Sequence, residues 1–382
     1  MQKLNAAESI RGLACLAVVC SHLSLSFFPD LHHFDLPLQA PTSWGDWIHH
    51  SPFGFWFSGT AAVYVFFVLS GFLLSHAIYR VADSSAEPQA LNFKVKNMFY
   101  KRYLRLAIPV LGSCLLTWLI FNSFSVDAQH TRPWLAEYLG QQVELSQAFY
   151  QGTIGSFFFA QSSVNWVLWT MQIELFGSFL LFALIYLQQK SQLGYYLGLL
   201  LFGLISFLYL SEGLFLGLSC FVIGMLIYRH ATRLSWGMAV LMLGLGLYLA
   251  GMHDSSYSYQ WLFKLVGPPS YEYSNYFAGI LVVYSILMSP RLSTLLDRPS
   301  LVKLGQWSFS IYLLHLPLLY LICVPILNQL IHWQWQPELA LSIALLLFMC
   351  GLMLSAAMYS RYVDGFAIWS SQKMAQWIQK RE

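Results

Sequence analysis

Charge is the scarcest commodity in this sequence. Only 10% of its 382 residues are Asp, Glu, Lys or Arg, against roughly 25% in soluble domains, which excludes an ordinary water-covered globular surface. The net charge of +3 comes without any long basic block, so a nucleic-acid-binding face is excluded too. The six cysteines, at 15, 20, 114, 220, 323 and 350, form no CxxC pair and no Cys/His metal spacing. All fall in apolar runs and read as buried thiols. There is no GxSxG elbow, HExxH helix or phosphate-binding Walker loop. The adjacent pairs His32–His33 and His49–His50 fit no familiar metal site, so no metal is expected. The start of the chain lacks a small-residue cleavage site, so its first apolar run is expected to be retained.

Apolar residues are abundant instead: 57% of the chain is hydrophobic and 17% aromatic. Long apolar runs lie near 10–28, 56–79, 106–124, 166–187, 193–210, 213–228, 235–252, 276–289, 308–327 and 339–359. Most are long enough to cross a hydrocarbon core of about 30 Å as helices. The expectation is an all-α polytopic integral membrane protein of about ten transmembrane helices. Residues 1–382 would form one domain, without a repeat or a fused soluble domain, ending in a short tail at 361–382. Ten spans put both termini on one side. Taking that side as cytoplasmic leaves only Arg132 and Lys264, of 20 Lys and Arg, outside, as the positive-inside rule requires. The tail, with Phe366, Trp369, Trp377 and Ile378 among basic and amide residues, either lies on the inner interface as an amphipathic helix or frays.

Ionisable residues at membrane depth are costly and therefore informative. In "SIRGLACLAVVCSH" Arg11 and His22 are eleven residues apart. At about 100° per residue they share one helix face with Cys15 and Val18, some 16 Å apart along the axis. Glu174 lies in "WVLWTMQIELFGSF" on a stripe with Thr170 and Ser178. Counting residues from the run edges places His22 and Glu174 at the same depth. That pair is either an acid/base couple or a structural interhelical hydrogen bond. Ser308, Tyr312 and His315 share a face of "SFSIYLLHLPLL". They either bind a ligand or carry protons, or else satisfy backbone groups beside Pro317. Ser70–Gly71 permits close helix approach or contact with a ligand. Lys101, Arg102 and Arg105 suit phosphate at the inner membrane edge, or simply anchor the span there. Trp44, Trp47, Trp134 and Trp261 suit sugar stacking or an interfacial belt.

These stretches together resemble the acyltransferase-3 family, integral-membrane enzymes that move acyl groups, usually acetyl, onto extracytoplasmic carbohydrates. The resemblance spans nearly the whole chain. Its most specific mark is Arg-x10-His, carried by Arg11 and His22. "FFVLSGFLLS" at 66–75, "KRYLRLAIP" at 101–109, "LWTMQIEL" at 168–175 and "SFSIYLLHLP" at 308–317 follow in the expected order. Two positions depart from the pattern. Tyr64 stands where members often carry an acidic residue, and "RYVDGFA" replaces a Tyr-x-x-Glu-x-Pro, with Asp364 as the substitute carboxylate.

The resemblance implies cytoplasmic acetyl-CoA as acyl-donor substrate, no bound cofactor, and residence in the bacterial inner membrane. The acceptor would be an extracytoplasmic or lipid-linked sugar. His22 and Glu174 would be catalytic, with His22 as general base or transient acyl carrier. Arg11, Lys101, Arg102 and Arg105, with Ser70, Tyr312 and His315, would hold the donor, and Glu8 would be Arg11's local partner. Any SGNH-like second transferase component would be a separate partner chain. The alternative is a transporter or flippase without covalent chemistry, since buried His and Glu also serve proton-coupled transport.

Overall fold

A computed structural model describes residues 2–32, 43–84 and 88–380. The chain is an all-α membrane protein, and among the described residues there is no strand. Its main helices are α1 (Gln2–Phe27), α2 (Gly59–Ser84), α3 (Pro88–Ser123), α4 (Thr170–Lys190), α5 (Gln192–Tyr209), α6 (Glu212–His230), α7 (Trp236–Ala250), α8 (Ser270–Met288), α9 (Pro299–Leu318), α10 (Pro337–Tyr359) and α11 (Gly365–Gln379). Helices satisfy every backbone group internally, which a chain this apolar requires in lipid. Leucines such as Leu200, Leu204, Leu241 and Leu354 are exposed on the outside of the bundle, where a bilayer would cover them.

All ten apolar runs are helical, but they do not make ten equal spans. Seven described helical segments are long and apolar enough to cross, or eight if α8 and Pro290–Leu296, bent by 96°, count as one. The helix at Trp236–Ala250 is shorter. Fifteen residues reach only about 22 Å, short of the roughly 30 Å core. Caps set where α5 and α7 begin. The Ser191 and Ser235 side chains accept from Gly194 N and Met238 N, which takes both serines out of the helix they begin. Of the cysteines, Cys15, Cys114, Cys220 and Cys323 are buried as expected, whereas Cys20 is half-buried and Cys350 is exposed on the lipid-facing side.

Small residues bring the central helices together. A Cβ on Gly305 of α9 would collide with the backbone of Glu8 in α1, and one on Gly12 would meet Gly305 N. In the same way Gly71 of α2 abuts the backbone of Phe221 in α6, and Gly224 of α6 abuts that of Val68 and Phe72 in α2. This close crossing is the usual route to helix association where lipid is as apolar as the side chains. The tail does not fray. From α10 the chain continues through a π-helical turn at Ser360–Asp364 into α11, which packs along α3 and buries Ala367, Ser371 and Ala375 at fourfold spacing.

Gly305→Val should therefore lower the stability of the purified protein by about 1–3 kcal/mol or more. Gly244→Val, at a position with open space around it, should stay within about 0.5 kcal/mol of wild type. Thermal melting in detergent reads both; equal melting of the two variants would refute the close α1–α9 crossing.

Candidate active site

Four helices, with Arg102, Arg105 and Leu106 of α3 beside them, turn one stripe each into a shared interior. On α1 the stripe runs from Glu8 and Arg11 to Val18, Ser21 and His22. Thr60, Val63, Phe67 and Ser70 do the same on α2, and Ser308 and Tyr312 on α9. The fourth stripe is Thr170 and Glu174 on α4. Two cavities result. One, of about 340 Å³, is lined by Glu8, Arg11, Ser70, Arg102, Arg105, Glu174, Gln306 and Asp364. The other, of about 240 Å³, is lined by His22, His32, His253, Thr60, Trp166 and Tyr271. Val63 and Tyr312 line both.

The larger cavity is built around an ion pair. Arg102 Nη2 donates to Glu174 Oε2 at 2.6 Å, and its Nε donates to Ser178 Oγ at 2.7 Å. Ser70 Oγ donates to the other carboxylate oxygen, Oε1, at 2.8 Å. Thr170 and Glu174 of the stripe thus face the cavity, and Ser178, its third member, holds Arg102 without lining it. Arg105 is held by both carboxylate oxygens of Asp364, the residue at which the sequence departs from its family pattern. Arg11 bonds Glu8 at 3.2 Å, one turn back on α1. Three guanidinium groups thereby converge on one chamber, each steadied by a carboxylate. Lys101 is not among the residues lining it.

The smaller cavity holds the histidine. His22 Nδ1 lies 2.6 Å from His315 Nε2, and the two rings are within 8° of parallel with centroids 4.9 Å apart. That separation exceeds the N···N distance by about the two ring radii, so the rings meet edge to edge in nearly one plane. His315 Nδ1 faces two backbone carbonyls, Tyr312 O at 2.8 Å and Ile311 O at 3.2 Å. Carbonyls only accept, so His315 Nδ1 carries the hydrogen and its Nε2 is the lone-pair nitrogen. His22 must then donate from Nδ1, which leaves His22 Nε2 as the basic nitrogen. No hydrogen bond to that atom occurs among the described residues. Trp134 stacks on the His22 ring, with centroids 5.1 Å apart and planes at 22°.

This geometry corrects the expected His22–Glu174 couple. Glu174 is committed to Ser70 and Arg102 in the Arg-lined cavity, and Tyr312 stands between the two chambers. The depth count failed because the stretch before α4 is not a simple outer loop. Residues 145–159 form short helices that run along α3, where Tyr103 Oη donates to Thr153 O at 2.8 Å. The chain then rises to a 3-10 turn at Trp166–Trp169, beside His22. Glu174, eight residues beyond Trp166, therefore lies about two helical turns from the His22 level rather than beside it. His315, expected among donor-binding groups, bonds His22 and is not among the residues lining the arginine cavity. Nor do Tyr312 and His315 satisfy the carbonyl freed by Pro317: Asn165 Nδ2 donates to Leu313 O at 2.8 Å, four residues before the proline. Tyr312 Oη donates to Val167 O at 2.8 Å and lies 3.0 Å from Thr170 Oγ1.

Asn165, Gln306 and the stacking role of Trp134 escaped the sequence reading. A proline at 317 signals a carbonyl in need of a donor, but nothing local names Asn165 as that donor. At Tyr64, where members often carry an acid, the hydroxyl bonds Glu272 from α8, so a carboxylate reaches that level from another helix. His32 bonds Ser24 at 2.6 Å, and His49 lies 3.1 Å from Ser255 Oγ, while His33 lies outside the described residues. Among the described residues no group of three or more His, Cys, Asp or Glu is placed to hold a metal.

The acyltransferase-3 family model, an acyltransferase domain, matches residues 4–361. The chain belongs to that family. It is a membrane acyltransferase, which sets aside transport without covalent chemistry. No curated protein and no solved structure matches it.

In this acyltransferase the Arg102–Glu174 pair is only 16% and 14% exposed, and removing one partner strands the other. Arg102→Met alone should destabilise by up to about 3–5 kcal/mol, the range for a broken buried pair. Adding Glu174→Gln should recover a large part of that loss. Thermal melts of the single and double variants measure it; a double variant no more stable than the single would deny the pairing.

Proposed function

We propose that the protein is an O-acyltransferase that takes an acetyl group from cytoplasmic acetyl-CoA and places it on a hydroxyl of an extracytoplasmic or lipid-linked carbohydrate. The carrying observation is the pairing of an arginine-lined chamber with a histidine-lined one across two shared side chains, Val63 and Tyr312. Arginine suits phosphate because its planar fork offers several donors at once. Arg11, Arg102 and Arg105 would grip the donor's phosphates at the cytoplasmic mouth, and Ser70 and Tyr312 would border the path of the pantetheine arm. Lys101, off the cavity, would act by attracting the anion.

The chemistry would lie at His22. Its Nε2 takes the proton of the acceptor hydroxyl as that oxygen attacks the thioester carbonyl. The C–S bond then breaks, the ester is released, and the imidazolium returns the proton to the CoA thiolate. Protons balance without a further reactant. His315 holds the tautomer that makes Nε2 the base. Glu174 would act at the donor end by fixing Arg102, rather than in the proton transfer. The positive-inside pattern supports cytoplasmic termini, the arginine chamber inside and the histidine chamber outside. By family resemblance the membrane would be the bacterial inner membrane.

Protein in lipid with radiolabelled acetyl-CoA tests the proposal. His22→Ala should abolish acetyl transfer while saturable donor binding survives. Arg105→Gln should weaken donor binding roughly 10–100-fold, as loss of one charged hydrogen bond of about 1.5–3 kcal/mol implies. A wild-type protein that neither binds nor turns over acetyl-CoA would refute the donor assignment.

A further inference from the structure

The partition between the two chambers is built more firmly than a chance constriction. Val63 is 7% exposed and Tyr312 also 7%, and each borders both cavities. The Tyr312 hydroxyl is pinned by Val167 O and Thr170 Oγ1. Those two residues straddle the divide, since Val167 lines the histidine chamber and Thr170 the arginine chamber. The backbone under Tyr312 is pinned as well, through Asn165 on Leu313 O and His315 Nδ1 on Tyr312 O. Its ring therefore cannot swing aside without breaking the hydroxyl's hydrogen bonds to Val167 O and Thr170 Oγ1.

A thioester gripped by the arginines must nevertheless bring its carbonyl carbon to His22 Nε2, so the acyl group has to pass between Val63 and Tyr312 ahead of the sulfur. We propose that Val63 and Tyr312 form a width gauge for the acyl group. Unbranched acetyl passes, and a group branched next to the carbonyl is rejected. The gauge rests on the donor and His22 roles proposed above. It makes Val63 and Tyr312 specificity-determining residues: their side chains select the acyl donor by cross-section, whichever sugar accepts it. The passage is apolar on the Val63 side, which favours a neutral acyl group over a carboxylated one of similar width.

The test is the acyl preference of purified protein in lipid, supplied with acetyl-, propionyl- and 2-methylpropionyl-CoA. Wild type should use acetyl and propionyl and discriminate against 2-methylpropionyl. Val63→Ala, which removes two methyl groups from the passage, should raise the 2-methylpropionyl-to-acetyl ratio of kcat/KM about tenfold or more, the scale of discrimination set by small apolar groups. Val63→Ile makes the opposite change and should lower the propionyl-to-acetyl ratio. Tyr312→Phe keeps the ring but frees it from Val167 and Thr170, and should relax the preference in the same direction as Val63→Ala. A merely structural role would lower all turnover together and leave the ratios alone. Active variants with unchanged ratios would overturn the gauge and spare the acyltransferase chemistry. A wild type that turns over none of the three CoA esters would overturn the donor assignment and the gauge with it.

Discussion

The hydrogen bond between His22 and His315 is the constraint on which the interior depends. It joins α1 to α9 at their functional level and dictates which nitrogen of His22 is basic. Much of the surrounding structure serves to hold it. The glycines at 12 and 305 let the two helices approach closely. The carbonyls of Ile311 and Tyr312 fix the His315 tautomer, Asn165 stabilises the stretch of α9 that Pro317 would otherwise leave unsatisfied, and Trp134 covers the His22 face. A neutral histidine thus takes the orienting position that a carboxylate holds in many acid–base sites. It does so without placing a second charge in an apolar setting, where one would be costly.

Carboxylates are placed instead at the other chamber. Glu8, Glu174 and Asp364 each face an arginine, so three positive groups can stand near one another without mutual repulsion going unanswered. In the proposed reaction the division of labour is electrostatic: charge collects where a phosphate-bearing donor would dock, and neutrality is kept where a proton would move both ways. The tail takes part in this arrangement. By continuing from α10 into α11 along α3, it delivers Asp364 to Arg105, which ties the end of the chain to the arginine chamber.

Much of this was legible before any coordinates. Hydropathy located all ten helical runs, and a 100° periodicity put Arg11, Cys15, Val18 and His22 on one face, where α1 indeed turns Arg11 and His22 inward. The Thr170/Glu174/Ser178 spacing likewise gave a true polar stripe. What failed was the step from position along a helix to position in space. Glu174 could be set level with His22 only if α4 began at the membrane edge, and the short helices before it break that assumption. The partners of His315, Arg105 and Leu313 lie 293, 259 and 148 residues away in sequence. Such contacts come from packing, and periodicity within one segment carries no record of them. The shortness of α7 was equally hidden, because the apolar run at 235–252 takes in both of its caps, Ser235 and Gly251.

The role of His315 is the point at which the reading of the sequence and the geometry diverge most sharply: one puts it on the donor path, the other beside His22. Steady-state kinetics with acetyl-CoA on His315→Phe and His315→Gln decide between them. A positioning role predicts that Phe, which cannot accept from His22 Nδ1, lowers kcat by about 10²–10⁴-fold with the donor KM nearly unchanged. Gln, whose amide oxygen can accept that hydrogen, should recover part of the rate. A raised donor KM with kcat preserved in both variants would contradict the positioning role and return His315 to the donor path.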